Sequence, residues 1–123
     1  MSVRNGILAL LAEGPCYGAQ LKAGFEARTG GTWPVNVGQV YTTLDRLERD
    51  GLVVQQEADD EGRIRYALTS DGRAEVERWW QTPVDRENTP REELVIKLAI
   101  AITSPEVDSA AVAQAQRSAT MRR

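Results

Sequence analysis

Residues 36–53 carry the sequence N-V-G-Q-V-Y-T-T-L-D-R-L-E-R-D-G-L-V, which decides the fold. Asn36 is a favoured N-cap residue, and Gln39, three positions later, completes a capping-box pattern. Apolar residues then recur at helical spacing, and Gly51 follows the last of them, so the pattern predicts a helix with one apolar face. The apolar positions are Val37, Val40, Leu44 and Leu47.

Two short strands are predicted directly after this helix. Residues 62–68 have the sequence G-R-I-R-Y-A-L, in which Ile64, Tyr66 and Leu68 alternate as in a half-buried strand. Val54 fits a partner strand, and a polar loop connects the two. A helix followed by a two-stranded ribbon is the layout of a winged helix-turn-helix. The same pattern also fits an ordinary surface helix packed on a hairpin.

The opposite face of the helix carries side chains suited to DNA. Hydroxyl, amide and guanidinium groups of moderate length can hydrogen-bond to base edges and phosphates. This face holds Gln39, Thr42, Thr43, Arg46 and Arg49. Arg63 and Arg65 follow on the second strand. Because they alternate with Ile64 and Tyr66, we expect both arginines to point away from the core.

Composition narrows the class of protein. The 123 residues suffice for one domain with a core, and no apolar run approaches the roughly 18 residues of a membrane span. The start of the chain lacks a signal-like pattern, so we expect a cytoplasmic protein. There is no histidine and a single cysteine, Cys16, and the carboxylates show no catalytic pairing. We therefore expect no enzyme, no metal site and no cofactor.

Charge gives a weaker indication. The net charge of −3 argues against a nonspecific nucleic-acid coat protein but does not exclude a specific binder, since the local charge pattern decides binding. The acidic balance also fits a winged helix that binds proteins and never touches DNA. A third alternative is a small-molecule carrier or incidental catalyst that uses a tryptophan-lined dimer interface.

Three further helices are predicted around this unit. Two precede it, over residues 2–13 and 17–28, and Thr69 caps one that runs to about residue 81. That last helix ends with Trp79 and Trp80, which cannot both face one narrow stripe. Either one of them packs on the core while the other meets a partner or ligand, or both are partly buried in the monomer.

The C-terminal part is predicted to dimerise. Thr89-Pro90 starts a helix that is apolar around most of its circumference, and Ser104-Pro105-Glu106 starts a last helix running to the end. We expect the first of these helices to be buried against a second copy of the chain. The expected units are 1–81 for DNA binding, 82–89 as a linker and 90–123 for dimerisation. The dimer contacts are assigned to Leu94, Leu98, Ile102 and Val107.

Several of these segments together resemble the PadR family of bacterial transcriptional regulators. The matching pieces are I-L-A-L-L-A-E-G-P at 7–15, Y-G at 17–18, G-G-T-W-P at 30–34, G-Q-V-Y-T-T-L-D-R-L-E-R-D-G-L-V at 38–53 and G-R-I-R-Y-A-L-T at 62–69. The resemblance implies a mainly α protein with a small β-hairpin, in which a winged helix-turn-helix precedes C-terminal dimerisation helices. The C-terminal part resembles the longer-tailed branch of the family, whose chains usually continue past the point where this chain stops.

The resemblance also implies a function. It implies a homodimeric repressor that binds an operator in double-stranded DNA and is released by a small-molecule effector. Because a symmetric dimer presents two recognition helices, we expect the operator to be an inverted repeat. The candidates for DNA contact are Tyr17, Asn36, Gln39, Tyr41, Thr42, Thr43, Arg46, Arg63 and Arg65. The candidates for an effector pocket are Trp79 and Trp80. Cys16 stands where the family often has an apolar residue, so we expect a small buried hydrophobe, with a redox sensor as the alternative. The acidic tip Asp59-Asp60-Glu61 argues against deep insertion of the wing into the minor groove.

Overall fold

The computed structural model describes residues 2–31, 35–83, 91–105 and 107–121. The helices in these ranges are α1 (Ser2–Leu11), α2 (Gly18–Arg28), α3 (Val37–Arg49), α4 (Ser70–Gln81), α5 (Arg91–Thr103) and α6 (Ser109–Met121). The strands are β1 (Cys16–Tyr17), β2 (Val53–Gln55) and β3 (Arg65–Leu68). The predicted class, mainly α with a small β-element, is confirmed. Residues 84–90, with most of the predicted linker and the Thr89-Pro90 helix start, lie outside the described residues.

The sheet has three antiparallel strands in the order β1-β3-β2. The expected β2–β3 ribbon is present, with Val53 opposite Leu68. Strand β1 was not predicted, because two residues are too few to show any alternation. It forms only through its pairing with β3, where Tyr17 lies opposite Arg65. The start of the predicted second helix is therefore a strand residue, and α2 begins at Gly18.

Helix α3 begins and ends where the sequence predicts. The Asn36 side chain accepts a hydrogen bond from the Gln39 backbone N–H at 2.7 Å, and Gly51 takes a φ of 79° just after the last turn. Val40, Leu44 and Leu47 are buried as expected. The prediction for Val37 was wrong, since 47% of this residue is exposed. It lies in the first turn, at the edge of the apolar stripe.

Helix α1 lies at the centre of the core. It packs against α2, α3, α4 and α5, and its Ile7, Leu8 and Leu11 are each 1% exposed. On the sheet, Val53 and Tyr66 face this core, whereas Val54 and Ile64 are 47% and 39% exposed. Val54 lies on a strand, as predicted, but on the outer face of β2. The expectation that Ile64 faces the core was wrong, because Ile64 precedes β3.

Helix α5 buries part of its apolar surface inside the same chain. Ile96 and Ile100 are fully buried in the core that α1 organises. A second face stays open, since Val95 is 44% and Ile102 73% exposed, and Leu98 is half-buried. None of the helices in the described ranges combines the length and the apolar character needed to cross a bilayer.

The last helix begins later than expected. Asp108, whose carboxylate accepts the Ala111 backbone N–H at 3.0 Å, precedes the first turn of α6. Ser104 cannot serve as the cap, because its hydroxyl donates to Glu13 and its carbonyl accepts from Val107 in a tight turn. Val107 therefore precedes α6 instead of lying on its apolar side.

Candidate nucleic-acid interface

The exposed side of α3 presents most of the predicted DNA-contacting residues. Tyr41, Thr42 and Arg46 are exposed, and Tyr41 remains 42% accessible although its ring edge meets Tyr66 at a centroid distance of 6.5 Å. Thr43 is half-buried, and its hydroxyl donates to the Gln39 carbonyl at 2.8 Å. Thr43 therefore uses its donor within the helix, and its side chain offers only an acceptor to a ligand.

A close approach ties α3 to the start of α2. A Cβ atom added at Gly18 would lie 2.5 Å from the Tyr41 ring. Since real Cβ atoms do not approach other atoms so closely, only glycine lets the Tyr41 ring lie over this helix start. In the sequence, Gly18 stands out only as part of the Tyr17-Gly18 motif, which does not indicate this role. The contact places the Tyr41 ring against the start of α2, which Tyr17 precedes.

The structure brings Tyr17 together with both wing arginines. The guanidinium carbon atoms of Arg63 and Arg65 lie 4.7 and 4.9 Å from the centroid of the Tyr17 ring. Such distances are typical of cation–π contacts. The pairing of β1 with β3 causes this arrangement, because it sets Tyr17 opposite Arg65. Three residues that the sequence analysis proposed separately therefore form one surface, which we name the wing cluster: Tyr17, Arg63 and Arg65.

Asp59 joins the wing cluster and was missed as a site residue. Its carboxylate oxygen Oδ2 accepts the Tyr17 hydroxyl at 2.6 Å and Arg63 Nε at 3.0 Å. From the sequence alone, Asp59 was predicted only to belong to the acidic tip of the wing. A usable signal was the spacing of Asp59 and Gly62, which is typical of an aspartate that caps a tight turn. Gly62 indeed has a φ of 80°.

These contacts shift two pKa values. The hydrogen bond from Tyr17, with those from the Arg63 and Glu61 backbone N–H groups, holds the pKa of Asp59 well below its ordinary value. The same bond to Asp59 raises the pKa of the Tyr17 phenol. The pair is therefore a carboxylate and a neutral phenol at physiological pH. The Tyr17 hydroxyl donates its proton in the hydrogen bond to Asp59.

The remaining DNA candidates have local roles or stand at the margin. Asn36 is exposed and caps α3, and Gln39 is half-buried one turn later. Whether these side chains and those of the wing cluster contact DNA stays a prediction. Among the described residues, no group of His, Cys, Asp or Glu is arranged to hold a metal ion.

Cys16 behaves as a small, half-buried hydrophobe. It packs at the edge of the core, and its thiol lies 3.4 Å from the Gly14 carbonyl. Burial raises the pKa of this thiol above its ordinary value. A reactive cysteine needs a lowered pKa, so the surroundings of Cys16 favour the packing role over redox sensing.

A cavity of about 430 Å³ lies where α1, α4 and α6 meet. Its apolar lining includes Val76, Trp80 and Val112, and Arg73 and Glu77 lie among its polar residues. Trp79 stacks on Trp80 with ring centroids 4.7 Å apart, and both are half-buried against the core. Both tryptophans are therefore partly buried in the monomer, as the second interpretation expects, and contact of either one with a ligand or partner stays a prediction. Of these two tryptophans, Trp80 lines the cavity and Trp79 does not.

A polar network connects this cavity to helix α2. Arg28, at the end of α2, donates to Glu13 Oε2 at 2.9 Å and to Ser104 Oγ at 3.2 Å. Ser104 in turn donates to Glu13 Oε2 at 2.7 Å. Glu13 and Ser104 both line the cavity. The network therefore joins α2 to the segments that follow α1 and α5.

Comparison with known proteins identifies the family. Residues 7–78, more than half of the chain, match the model of the transcriptional regulator PadR-like family. Over 88 residues the chain is 31% identical to Rv1176c, a probable transcriptional regulator of Mycobacterium tuberculosis. This match covers 68% of the chain and 46% of the relative, so the chain spans about half of that protein's length.

Solved structures show the same fold. Bacillus subtilis PadR in complex with operator DNA has a TM-score of 0.64 and 24% identity, over 85% of this chain and 60% of that one. The same protein in complex with p-coumaric acid has a TM-score of 0.59 and 21% identity, over 99% of this chain and 68% of that one. The fold class and the family resemblance are thus both confirmed. The chain belongs to the transcriptional regulator PadR-like family.

Proposed function

We propose that the protein binds an operator in double-stranded DNA and represses transcription as a homodimer. The observation that carries the proposal is the wing cluster, where two guanidinium groups lie against one tyrosine ring beside the exposed face of α3. In this arrangement α3 enters the major groove, and Gln39, Thr42 and Arg46 face base edges and phosphates. The wing then lies along the backbone. That PadR of Bacillus subtilis was solved with operator DNA supports this mode.

The DNA-binding proposal is tested by fluorescence anisotropy at fixed salt. Labelled duplexes that tile the region upstream of the protein's own gene are titrated with the protein. One duplex is expected to bind at least about a thousandfold more tightly than a scrambled duplex of equal length and composition. Equal affinity for every duplex would contradict sequence-specific binding, and no binding at all would favour the protein-interaction alternative.

The dimer proposal rests on the open face of α5. With Ile96 and Ile100 buried in its own chain, the helix still exposes Ile102, and Leu94 and Leu98 are only half-buried. An apolar side chain that is 73% exposed is best covered by a second copy. We assign residues 1–81 to DNA binding and residues 90–123 to dimerisation, with Val107 at the edge of that interface. Two α3 helices would then meet an inverted repeat.

We place the effector in the cavity beside Trp80. Its volume of about 430 Å³ is within the range of small-molecule sites, and it has an apolar wall with few polar groups. Release from DNA would follow if a ligand there moved Glu13 and Ser104, because both bind Arg28 at the end of α2. A compound library, screened by tryptophan fluorescence with Trp80→Phe as the control, tests this. Ligands that bind both proteins equally would contradict the placement.

A further inference from the structure

The Asp59 carboxylate is the most heavily hydrogen-bonded side chain on the wing. Its Oδ1 atom accepts the backbone N–H groups of Glu61 and Arg63, each at 2.9 Å. Its Oδ2 atom accepts the Tyr17 hydroxyl at 2.6 Å and Arg63 Nε at 3.0 Å. One oxygen thus closes the wing turn, while the other holds two members of the wing cluster.

The hydrogen bonds to Asp59 hold the side chains of Tyr17 and Arg63 in place within the wing cluster. Asp59 holds Arg63 at its Nε atom, and the Nη2 atom of Arg63 lies 3.5 Å from the exposed Glu61 carboxylate. We expect a DNA phosphate to replace Glu61 as the partner of the terminal nitrogens. Tyr17 is held by its hydroxyl, so the ring stands as a surface for both guanidinium groups, 4.7 and 4.9 Å from its centroid. Two positive charges are thereby kept close together on a wing whose loop also carries the acidic residues Glu57, Asp60 and Glu61.

We propose that Asp59 is a positioning residue of the DNA interface, which holds Tyr17 as a platform and orders Arg63 and Arg65 to bind adjacent phosphates. The inference rests on the proposed DNA binding. It also changes the role expected for Tyr17. Because the Tyr17 hydroxyl donates to Asp59, this tyrosine acts through its ring and not by donating to a phosphate.

The proposal predicts a sign opposite to that of simple electrostatics. A carboxylate near DNA repels the phosphates, so its removal should strengthen binding. Asp60 provides the matched control, since it is the next residue, is exposed, and would lose the same charge. If Asp59 acts only through its charge, neutralising either aspartate should tighten binding alike. If Asp59 positions the arginines, its removal should weaken binding although a negative charge has gone.

The experiment compares Asp59→Asn and Asp60→Asn in the full chain by anisotropy on the operator duplex. Asp60→Asn is expected to bind about twofold more tightly at low salt. Asp59→Asn should bind about tenfold more weakly than Asp60→Asn. In Asp59→Asn the side chains of Arg63 and Arg65 are no longer ordered before binding, so DNA binding must bear the entropy cost of ordering them. Asp59→Ala, which also removes the hydrogen bonds that close the wing turn, should be weaker still. Thermal denaturation checks that all variants are folded.

Two further readouts separate positioning from a structural role. The slope of log affinity against log salt should fall in Asp59→Asn by about 0.9 for each phosphate that the wing no longer neutralises. The NMR titration of labelled tyrosines should show a lower Tyr17 pKa in Asp59→Asn, because the carboxylate that stabilised the phenol is gone. A Tyr17 pKa unchanged in Asp59→Asn would contradict the hydrogen bond itself.

The outcomes separate this inference from the proposed function. A wild-type protein that binds no duplex specifically overturns both. If the wild-type protein binds its operator and both asparagine variants tighten binding equally, the DNA-binding proposal stands and the positioning role of Asp59 is overturned.

Discussion

Arg46 is the residue on α3 whose position most clearly suits a partner. It is exposed and lies on a different face from Val40, Leu44 and Leu47, which carry the core contacts. We expect Arg46→Ala to weaken operator binding by about 1–3 kcal/mol while the thermal midpoint stays unchanged. Arg78→Ala, which removes an exposed arginine on α4, is the matched control. Equal affinities for the two variants would remove Arg46 from the interface.

Gly18 acts through Tyr41. The Cβ of Gly18→Ala would meet the Tyr41 ring at 2.5 Å, and this ring can move into solvent because the residue is 42% exposed. We therefore expect a small loss of folding stability, below about 1 kcal/mol, but a clear loss of DNA affinity. The effect should vanish in a Tyr41→Ala background, since there is then no ring to displace. A Gly18→Ala effect that persists in this background would show another cause.

Residue types on α3 were predictable, whereas pairwise contacts were not. Period and capping were enough to find Val40, Leu44, Leu47 and the Asn36 cap, because those signals lie within one helix. Asp59 was assigned to an acidic tip because its partner Tyr17 lies 42 positions away along the chain. A pattern within a short stretch of sequence cannot indicate a contact between residues so far apart along the chain. The same holds for the close approach of Gly18 and Tyr41.

At the scale of elements, the Glu13–Arg28–Ser104 network holds α2 against the C-terminal helices. The hydrogen bond from Arg28 lowers the pKa of Glu13 in the folded chain. The contribution of Glu13 to stability is therefore complete above its unfolded pKa of about 4.3 and is lost as the pH falls through the folded value. We expect Glu13→Gln to lose about 1 kcal/mol of unfolding free energy at pH 7.

Chemical denaturation at several pH values checks this expectation. Below about pH 4.3, as Glu13 takes up its proton, the stability of the wild type should fall more steeply than that of Glu13→Gln. Glu77→Gln, which neutralises an exposed carboxylate on α4, is the control and should follow the wild type. Parallel pH profiles for the wild type and Glu13→Gln would show that the network does not stabilise the fold.

Element boundaries show where sequence reasoning stops. Helix α3 and the β2–β3 ribbon were predicted because capping, glycine and alternation agree there. The start of α6 was placed too early, since Ser104 has a cap-like sequence but uses its hydroxyl on Glu13, 91 positions away. Strand β1 exists only through β3. In both cases a distant interaction decided between local alternatives.

At the scale of the whole molecule, the proposed dimer depends on the open face of α5. Ile102 is 73% exposed, so Ile102→Glu should leave the fold intact and yield monomers. Leu98→Glu, at a half-buried position, should do the same with some loss of stability. Operator affinity should fall steeply in both, because a monomer reaches only one half-site. Val54→Glu, at an exposed valine on β2, is the control for oligomeric state.

Light scattering with the folded variants decides the matter. The wild type and Val54→Glu are expected to be dimers, whereas Ile102→Glu and Leu98→Glu are expected to be monomers. A dimeric Ile102→Glu protein that binds its operator normally would place the interface elsewhere on the molecule.

The most direct test of the central claim is the salt dependence of DNA binding by Arg63→Ala/Arg65→Ala. The wing cluster is proposed to clamp the DNA backbone although the net charge of the chain is −3. We expect the double variant to bind both operator and scrambled duplexes more weakly, with the log–log slope reduced by about 0.9 for each phosphate left without its arginine. A double variant with wild-type affinity and slope on both duplexes would contradict the account.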